Sequence, residues 1–201
     1  KNFGHTVIEP YPALVQLLSK EKCLNALAGL RIDARAILYA DEKPVISNRG
    51  EVQLNANNIS GIPVFQISAE ASKAMANGRK CHVVLDLLPD FSEELLISYM
   101  KQRISTGGYK SAVNFLTGLF AKKLSEALCD RCKFSKKLTA EKFEEDDITN
   151  LCKQIKNFKI QIYGTNGFEH AQCCGGGVSL EEVDPLTMES LKVPGLYFCG
   201  E

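Results

Sequence analysis

The sequence predicts an α+β fold: a small antiparallel β-barrel-like domain with an inserted helical bundle. Three observations carry this. Apolar residues alternate with a period of two from Leu30 to Leu38 and again at Val52 and Leu54. From Asp90 the period lengthens to that of a helix and stays so for some sixty residues. Period two then returns at Phe158. A strand with one buried face shows the first pattern, an amphipathic helix the second.

The elements follow in order. Leu30, Ile32, Ala34, Ala36 and Leu38 share one strand face, with Arg31, Asp33 and Arg35 on the other. Asp41-Glu42-Lys43-Pro44 predicts a turn, Val45-Ile46 a short strand, and Asn48-Arg49-Gly50 a second turn. Val52 and Leu54 then begin another strand. Strands joined this closely run antiparallel, as a meander or small barrel. After Ser60-Gly61-Ile62-Pro63, the run Val64, Phe65, Ile67, Ala71, Ala74, Met75 predicts a helix that stops at Asn77-Gly78. Cys81 to Leu88 predicts a buried strand ended by Pro89, with His82 as a hydrogen-bonded core residue.

Asp90 is the predicted cap of the next helix, with Glu93 as capping-box partner. Phe91, Leu95, Leu96, Tyr99, Met100 and Ile104 form its apolar stripe, which Gly107-Gly108 breaks. Shorter helices follow through Leu128, with Thr139 and Asp146 or Asp147 as further caps. Ile148, Leu151, Cys152 and Ile155 make the last stripe. The predicted organisation is therefore residues 1–89 as the first part of the barrel-like domain and 90–157 as the bundle. Residues 158–178 are return strands, and 179–201 begin a segment that leaves for another domain.

Composition narrows the function. The 201 residues are 45% hydrophobic and 24% charged, as in a globular protein. Twenty-four Lys and Arg balance 24 Asp and Glu, which argues against a dedicated nucleic-acid binder. No apolar run reaches the ~18–20 residues that span a membrane. With no initiator Met and no secretory signal, the chain reads as a cytoplasmic piece of a longer protein. Eight cysteines at 23, 81, 129, 132, 152, 173, 174 and 199 read as reduced thiols, most of them within apolar runs.

Candidate chemistry is sparse. Cys129-x-x-Cys132 has the spacing of half a zinc site or a redox pair, but no second pair or nearby His completes it. No metal site is expected. His5, His82 and His170 match no triad order, so no catalytic residue can be named. Gly175-Gly176-Gly177 admits two readings: close approach of the backbone to a ligand, or a loose turn or bulge. No GxGxxG or Walker-type loop is present.

The C-terminal strips Gly164-Thr165-x-x-x-Phe168-Glu169-x-Ala171-Gln172-Cys173-Cys174-Gly175-Gly176-Gly177-Val178 and Glu182-Val183-Asp184-Pro185 through Val193-Pro194-Gly195-Leu196-Tyr197-Phe198-Cys199-Gly200-Glu201 resemble a flavoprotein family. So do Gly4-His5 with Pro12 to Val15, and Gly50-Glu51 with Ile59-Ser60-Gly61-Ile62-Pro63. The family is the aminoacetone-oxidase-like, BaiN/RdsA-type group of FAD-dependent oxidoreductases. Where its members carry an acid or His and a Gly before the Ile-Ser-Gly, this chain has Asn55, Ala56, Asn57 and Asn58. Asn58 is expected to supply the left-handed conformation of that Gly.

The resemblance implies that this chain is the middle of the family's layout, on the substrate side of an FAD-dependent oxidoreductase. It would not be catalytically competent alone. FAD belongs to the full-length parent, and none is expected on this segment. Gly175, Gly176, Gly177 and Val178 would lie against the flavin, and Gly200 and Glu201 near its ribityl or pyrophosphate part. The implied partners are the FAD-binding remainder of the same chain, a small-molecule substrate and a nicotinamide donor, with no nucleic acid and no membrane. The competing readings are a lid or binding module without chemistry of its own and, less favoured, a thiol-redox or zinc protein.

Overall fold

A computed structural model describes residues 3–135 and 137–200. The early strands are β1 (Val7–Ala13), β2 (Leu17–Leu18), β3 (Leu30–Ala40), β4 (Lys43–Leu54) and β5 (Asn58–Ser60), with the short helix α1 (Cys23–Leu27) between β2 and β3. Helix α2 (Ile62–Ala76) and strand β6 (Cys81–Asp86) follow. The helical region comprises α3 (Glu93–Gly107), α4 (Ala112–Phe115), α5 (Lys122–Arg131) and α6 (Glu145–Lys156). Strands β7 (Phe158–Ile162), β8 (Gly164–Thr165) and β9 (Cys173–Val178) close the order. The fold is α+β.

Seven strands form one antiparallel sheet in the order β7-β6-β3-β4-β5-β2-β8. Its two edge strands are consecutive in the chain, with Tyr163 alone between Ile162 and Gly164. One residue advances the chain only about 3.8 Å, so the sheet must curl until its edges nearly meet. The edges do not pair: the sheet is barrel-like but not closed. The alternation at Ala34, Ala36, Leu38 and Ala40 points inward, and these side chains are fully buried.

The expected turn at Asn48-Arg49-Gly50 does not form. Asn48, Arg49 and Gly50 pair with Ala36, Arg35 and Ala34 inside one twelve-residue strand. What keeps the polar run in the ladder is its exposed face, where Arg49 bonds Asp90 at 2.6 and 2.8 Å and Asp33 at 3.0 Å. The real turn is Asp41-Glu42, both residues at positive φ (49° and 61°), as a two-residue hairpin turn of the primed type requires. Arg79 holds it, bonding Asp41 at 2.9 Å and keeping that carboxyl below the usual range.

Helix α2 starts where predicted. Gly61 is obligatory there: its φ is +99°, and a Cβ would overlap the Glu51 carbonyl. Val64, Ile67 and Ala71 join the sheet core. Asn58 lies extended in β5 and is not among the residues at positive φ, contrary to expectation, because it pairs with Leu18.

The helices lie between two neighbouring strands: β6 and β7 pair in register from Leu85↔Phe158 to Cys81↔Ile162. Asp90 does not cap α3, since Arg49 occupies its carboxylate; Ser92 does so, accepting from Leu95 N at 3.2 Å. Leu96 and Met100 are buried, whereas Leu95 is exposed. Glu144, two or three residues earlier than expected, caps α6 in a capping box with Asp147. Ile148, Leu151, Cys152 and Ile155 are all buried in a core continuous with that of the sheet. No described helix is long and apolar enough to cross a membrane.

Candidate functional site

The glycine run lies in β9, which pairs with β1 in a two-stranded ribbon separate from the seven-stranded sheet. Val178 pairs with Val7, Gly177 with Ile8, and Gly175 with Tyr11; between these the register shifts. The shift leaves Glu9 and Pro10 opposite Gly176 alone, which is a β-bulge. Each glycine answers a different constraint. A Cβ on Gly175 would run into the Tyr11 ring. Gly176 has φ +88°, and its Cβ would stand 2.7 Å from the Glu9 carbonyl oxygen. Gly177 has φ +101° with open space beside it. Of the two readings open in the sequence, the bulge accounts for Gly175 and Gly176. Gly177 and Val178 pair with Ile8 and Val7, and the bulge does not account for the open space beside Gly177.

The chain on either side of this ribbon is knitted together. Thr6 donates through its backbone N–H and hydroxyl to the Glu182 carboxylate, at 2.9 and 2.7 Å. Lys192 reaches the same carboxylate at 2.7 Å and the Gly4 carbonyl at 3.0 Å. These bonds, Lys192 first, hold the Glu182 carboxyl down at about 2. Beside them His5 Nε2 lies 2.7 Å from Ser190 Oγ, both residues buried. Ser190 Oγ already accepts the Lys192 and Val193 N–H groups at 3.0 and 2.9 Å. Its hydroxyl proton is therefore the one left to donate to His5, which fixes the ring as the tautomer protonated on Nδ1. Phe198 packs edge-on against the His5 ring at 5.1 Å.

Sequence reasoning did not single out this Glu182–Thr6–Lys192 cluster. Thr6 and Glu182 are 176 residues apart, and no local spacing joins them. Large apolar side chains stand exposed around it, among them Phe3, Ile8, Leu180, Leu186, Leu191 and Tyr197. Gly200 has nothing within 4 Å of where a Cβ would be. Glu201 lies outside the described residues.

Three buried thiols are made inert by their environment. Burial raises Cys129 to about 11 and Cys132 and Cys152 to about 12, which keeps them neutral and poorly nucleophilic. All eight cysteines are free. Among the described residues, no group of three or more Cys, His, Asp or Glu is arranged to hold a metal. His82 is buried, stacks on Tyr39 at 4.9 Å, and has Nδ1 3.7 Å from Glu42.

Compared with known proteins, residues 11–173 match the family described as HI0933-like protein barrel and H2TH domain. The chain belongs to this HI0933-like family. The match covers the curled sheet and the helices, and stops at the first residue of β9. Among curated proteins, the chain is similar along its whole length to a 3-dehydro-bile acid delta(4,6)-reductase of Clostridium scindens, at 35% identity. It is likewise similar to ribosomal RNA dihydrouridine synthases of Haemophilus influenzae, at 29%, and Escherichia coli, at 28%. These matches cover 49%, 47% and 48% of those proteins. The chain thus spans about half the length of the curated relatives it matches.

Proposed function

We propose that this chain is the substrate-side half of an FAD-dependent reductase that adds two hydrogens across a carbon–carbon double bond conjugated to a carbonyl. One observation carries the reading. The relatives' names describe two unrelated substrates, a bile acid and a ribosomal RNA, yet one chemistry joins them. A delta(4,6)-reductase and a dihydrouridine synthase both saturate such a double bond.

FAD, when bound, supplies the two-electron chemistry. The residues present fit only an edge of its site. Gly177 and Gly200 both have open space where a side chain would stand. None of the hollows described for this chain is lined by them. The rest of the parent protein must therefore enclose the cofactor. The exposed apolar side chains around the Glu182 cluster support a surface that this remainder covers, since apolar area of this kind is otherwise costly to leave in water. In this role Glu182, Thr6, Lys192, His5 and Ser190 hold the incoming and outgoing segments at a fixed separation. The sheet and helices then form the wall against which a small-molecule substrate is placed, with a nicotinamide donor as reductant.

The test is the full-length protein, purified and assayed anaerobically with reduced nicotinamide against a conjugated steroid dienone and a uridine-containing RNA. The expected result is a yellow protein that reduces one of the two. A colourless full-length protein, or one that reduces neither, overturns the proposal. The 201-residue chain alone should purify without flavin.

A further inference from the structure

A hollow of about 410 Å³ opens in the helical region, between α4, α5 and the loop that follows α5. None of its lining residues belongs to the β1–β9 ribbon or to the Glu182 cluster. Its volume falls in the range of small-ligand sites, about 300–1,000 Å³. Part of the lining is apolar: Ala112 is buried, and Val113 and Phe134 are half-buried. Phe134 leans on Phe143, with ring centroids 4.8 Å apart, which steadies that wall. Cys129 lines the hollow as well and is only 5% exposed. Among the described residues only the thiols of Cys23 and Cys81 are hydrogen-bonded, so the Cys129 thiol is a buried polar group without a partner.

Helix α5 sets two carboxylates on the same hollow. Glu126 and Asp130 both line it. They are four residues apart, so their Cβ atoms stand about 5–6 Å apart on one helix face. Cys129 feels both: after burial, Asp130 and then Glu126 push its thiol up. Little neutralises the pair. Lys122, one turn earlier, reaches Glu126 only at 3.9 Å, and the two side chains are 79% and 51% exposed. Asp130 belongs to no ion pair among the described residues. Two carboxylates against one lysine leave the hollow negative beside an apolar wall.

We propose that this hollow binds an organic ammonium ion, an amine carrying an apolar body. The ammonium bridges Glu126 and Asp130, and the Asn114 side-chain carbonyl accepts the last of its three protons. The body lies on Ala112, Val113 and Phe134. A neutral apolar ligand would strip water from the carboxylates and return nothing. An anion would be repelled. A bare divalent cation is poorly served, because two carboxylates fall short of the six to eight oxygens that calcium takes. Among the described residues, no group of three or more Cys, His, Asp or Glu is arranged for a metal. An amine with an apolar body uses the charge and the wall together. The site stands apart from the reductase reading, and its test needs no flavin.

The chain contains no Trp, so indole emission in a titration comes from the ligand alone. The test titrates the 201-residue chain against tryptamine and against indole-3-propionate, which carries a carboxylate on the same ring and spacer. Tryptamine should bind saturably, and indole-3-propionate about ten-fold more weakly or worse. Ethylamine, an ammonium without the ring, should not displace tryptamine at equal concentration. Glu126→Gln with Asp130→Asn should weaken tryptamine about ten-fold. Both side chains are exposed, so the melting temperature should stay that of the parent. If the double variant loses its fold, Asp130→Asn alone should weaken tryptamine about three-fold. Absence of saturable tryptamine binding, equal binding of the propionate, displacement by ethylamine, or unchanged affinity in the folded variant overturns the proposal.

Discussion

The Arg131 guanidinium sits 3.7 Å from the centroid of the Phe158 ring and donates to the Lys159 carbonyl at 2.9 Å. It is the last residue of α5, and both partners belong to β7. The contact joins the helices to the sheet at an edge strand, where an unpaired carbonyl invites another chain to pair.

Replacing Arg131 tests that joint. A charged hydrogen bond contributes about 1.5–3 kcal/mol and a cation over an aromatic ring about 0.5–2. Arg131→Ala should lower unfolding stability by about 2–3 kcal/mol in urea and raise the tendency to aggregate. Arg131→Lys should fall between, because an ammonium cannot lie flat on the ring while reaching the carbonyl. Wild-type stability in the alanine variant would show that the contact is incidental.

Lys156 and Asp86 form a mostly buried pair at 2.7 Å, with side chains only 14% and 12% exposed. Lys156 also donates to the carbonyls of Leu88 and Phe91, so it pins the loop by which the chain leaves β6 for α3. Removing one partner of such a pair strands the other charge, at about 3–5 kcal/mol. Lys156→Met should show a loss of that order by thermal or urea unfolding. Adding Asp86→Leu should restore part of it. A double variant as unstable as the sum of the two singles would mean that the charges do not interact.

His82 makes stability depend on pH. Burial, and then the neighbouring Lys159 ammonium, pulls its imidazole below the ordinary histidine value; the Glu42 carboxylate opposes them. Between the unfolded value, about 6.5, and the lower folded one, the unfolded chain binds a proton that the folded chain does not. Stability therefore rises with pH through that window, is complete above about pH 6.5, and is lost as pH falls through the folded value. Melting temperatures from pH 7 to pH 5 should decline. In His82→Phe, which keeps a ring against Tyr39, the decline should be shallower. An identical slope in the two proteins would remove His82 as its source.

The parts of the fold legible in the sequence were those held by local pattern. The alternation at Leu30–Leu38 and the stripe at Ile148–Ile155 face the core as their periods demand. What could not be read was fixed by distant partners. Arg49 turns a predicted loop into strand because Asp33 and Asp90 wait beside it, and taking Asp90 hands the α3 cap to Ser92. The same holds for the site. The three glycines stood out as a run, but only Tyr11 and Glu9, some 165 residues away, show what two of them are for. Thr6 and Glu182 carry no mutual signal at all.

The glycine run yields the sharpest separation of structural from cofactor roles. Gly175 is held small by the Tyr11 ring, so Gly175→Ala should destabilise the ribbon in the isolated chain. Tyr11→Ala opens that space, and the double variant should then be less unstable than the sum of the singles, the coupling expected of residues in contact. Gly176→Ala meets both a positive φ, at about 1–2 kcal/mol, and the Glu9 carbonyl at 2.7 Å. No change at Tyr11 should rescue it, because the obstacle is backbone. Gly177→Ala meets only the φ of +101° and open space, so it should cost the isolated chain about the strain alone. Amide hydrogen exchange across β1 and β9 measures all five variants without any cofactor. In the full-length protein the order should invert for flavin affinity: Gly177→Ala, which places a methyl in the open space beside the run, should weaken FAD more than its stability loss accounts for. If Gly177→Ala binds FAD as the parent does, the ribbon is a structural joint and its glycines serve the bulge alone.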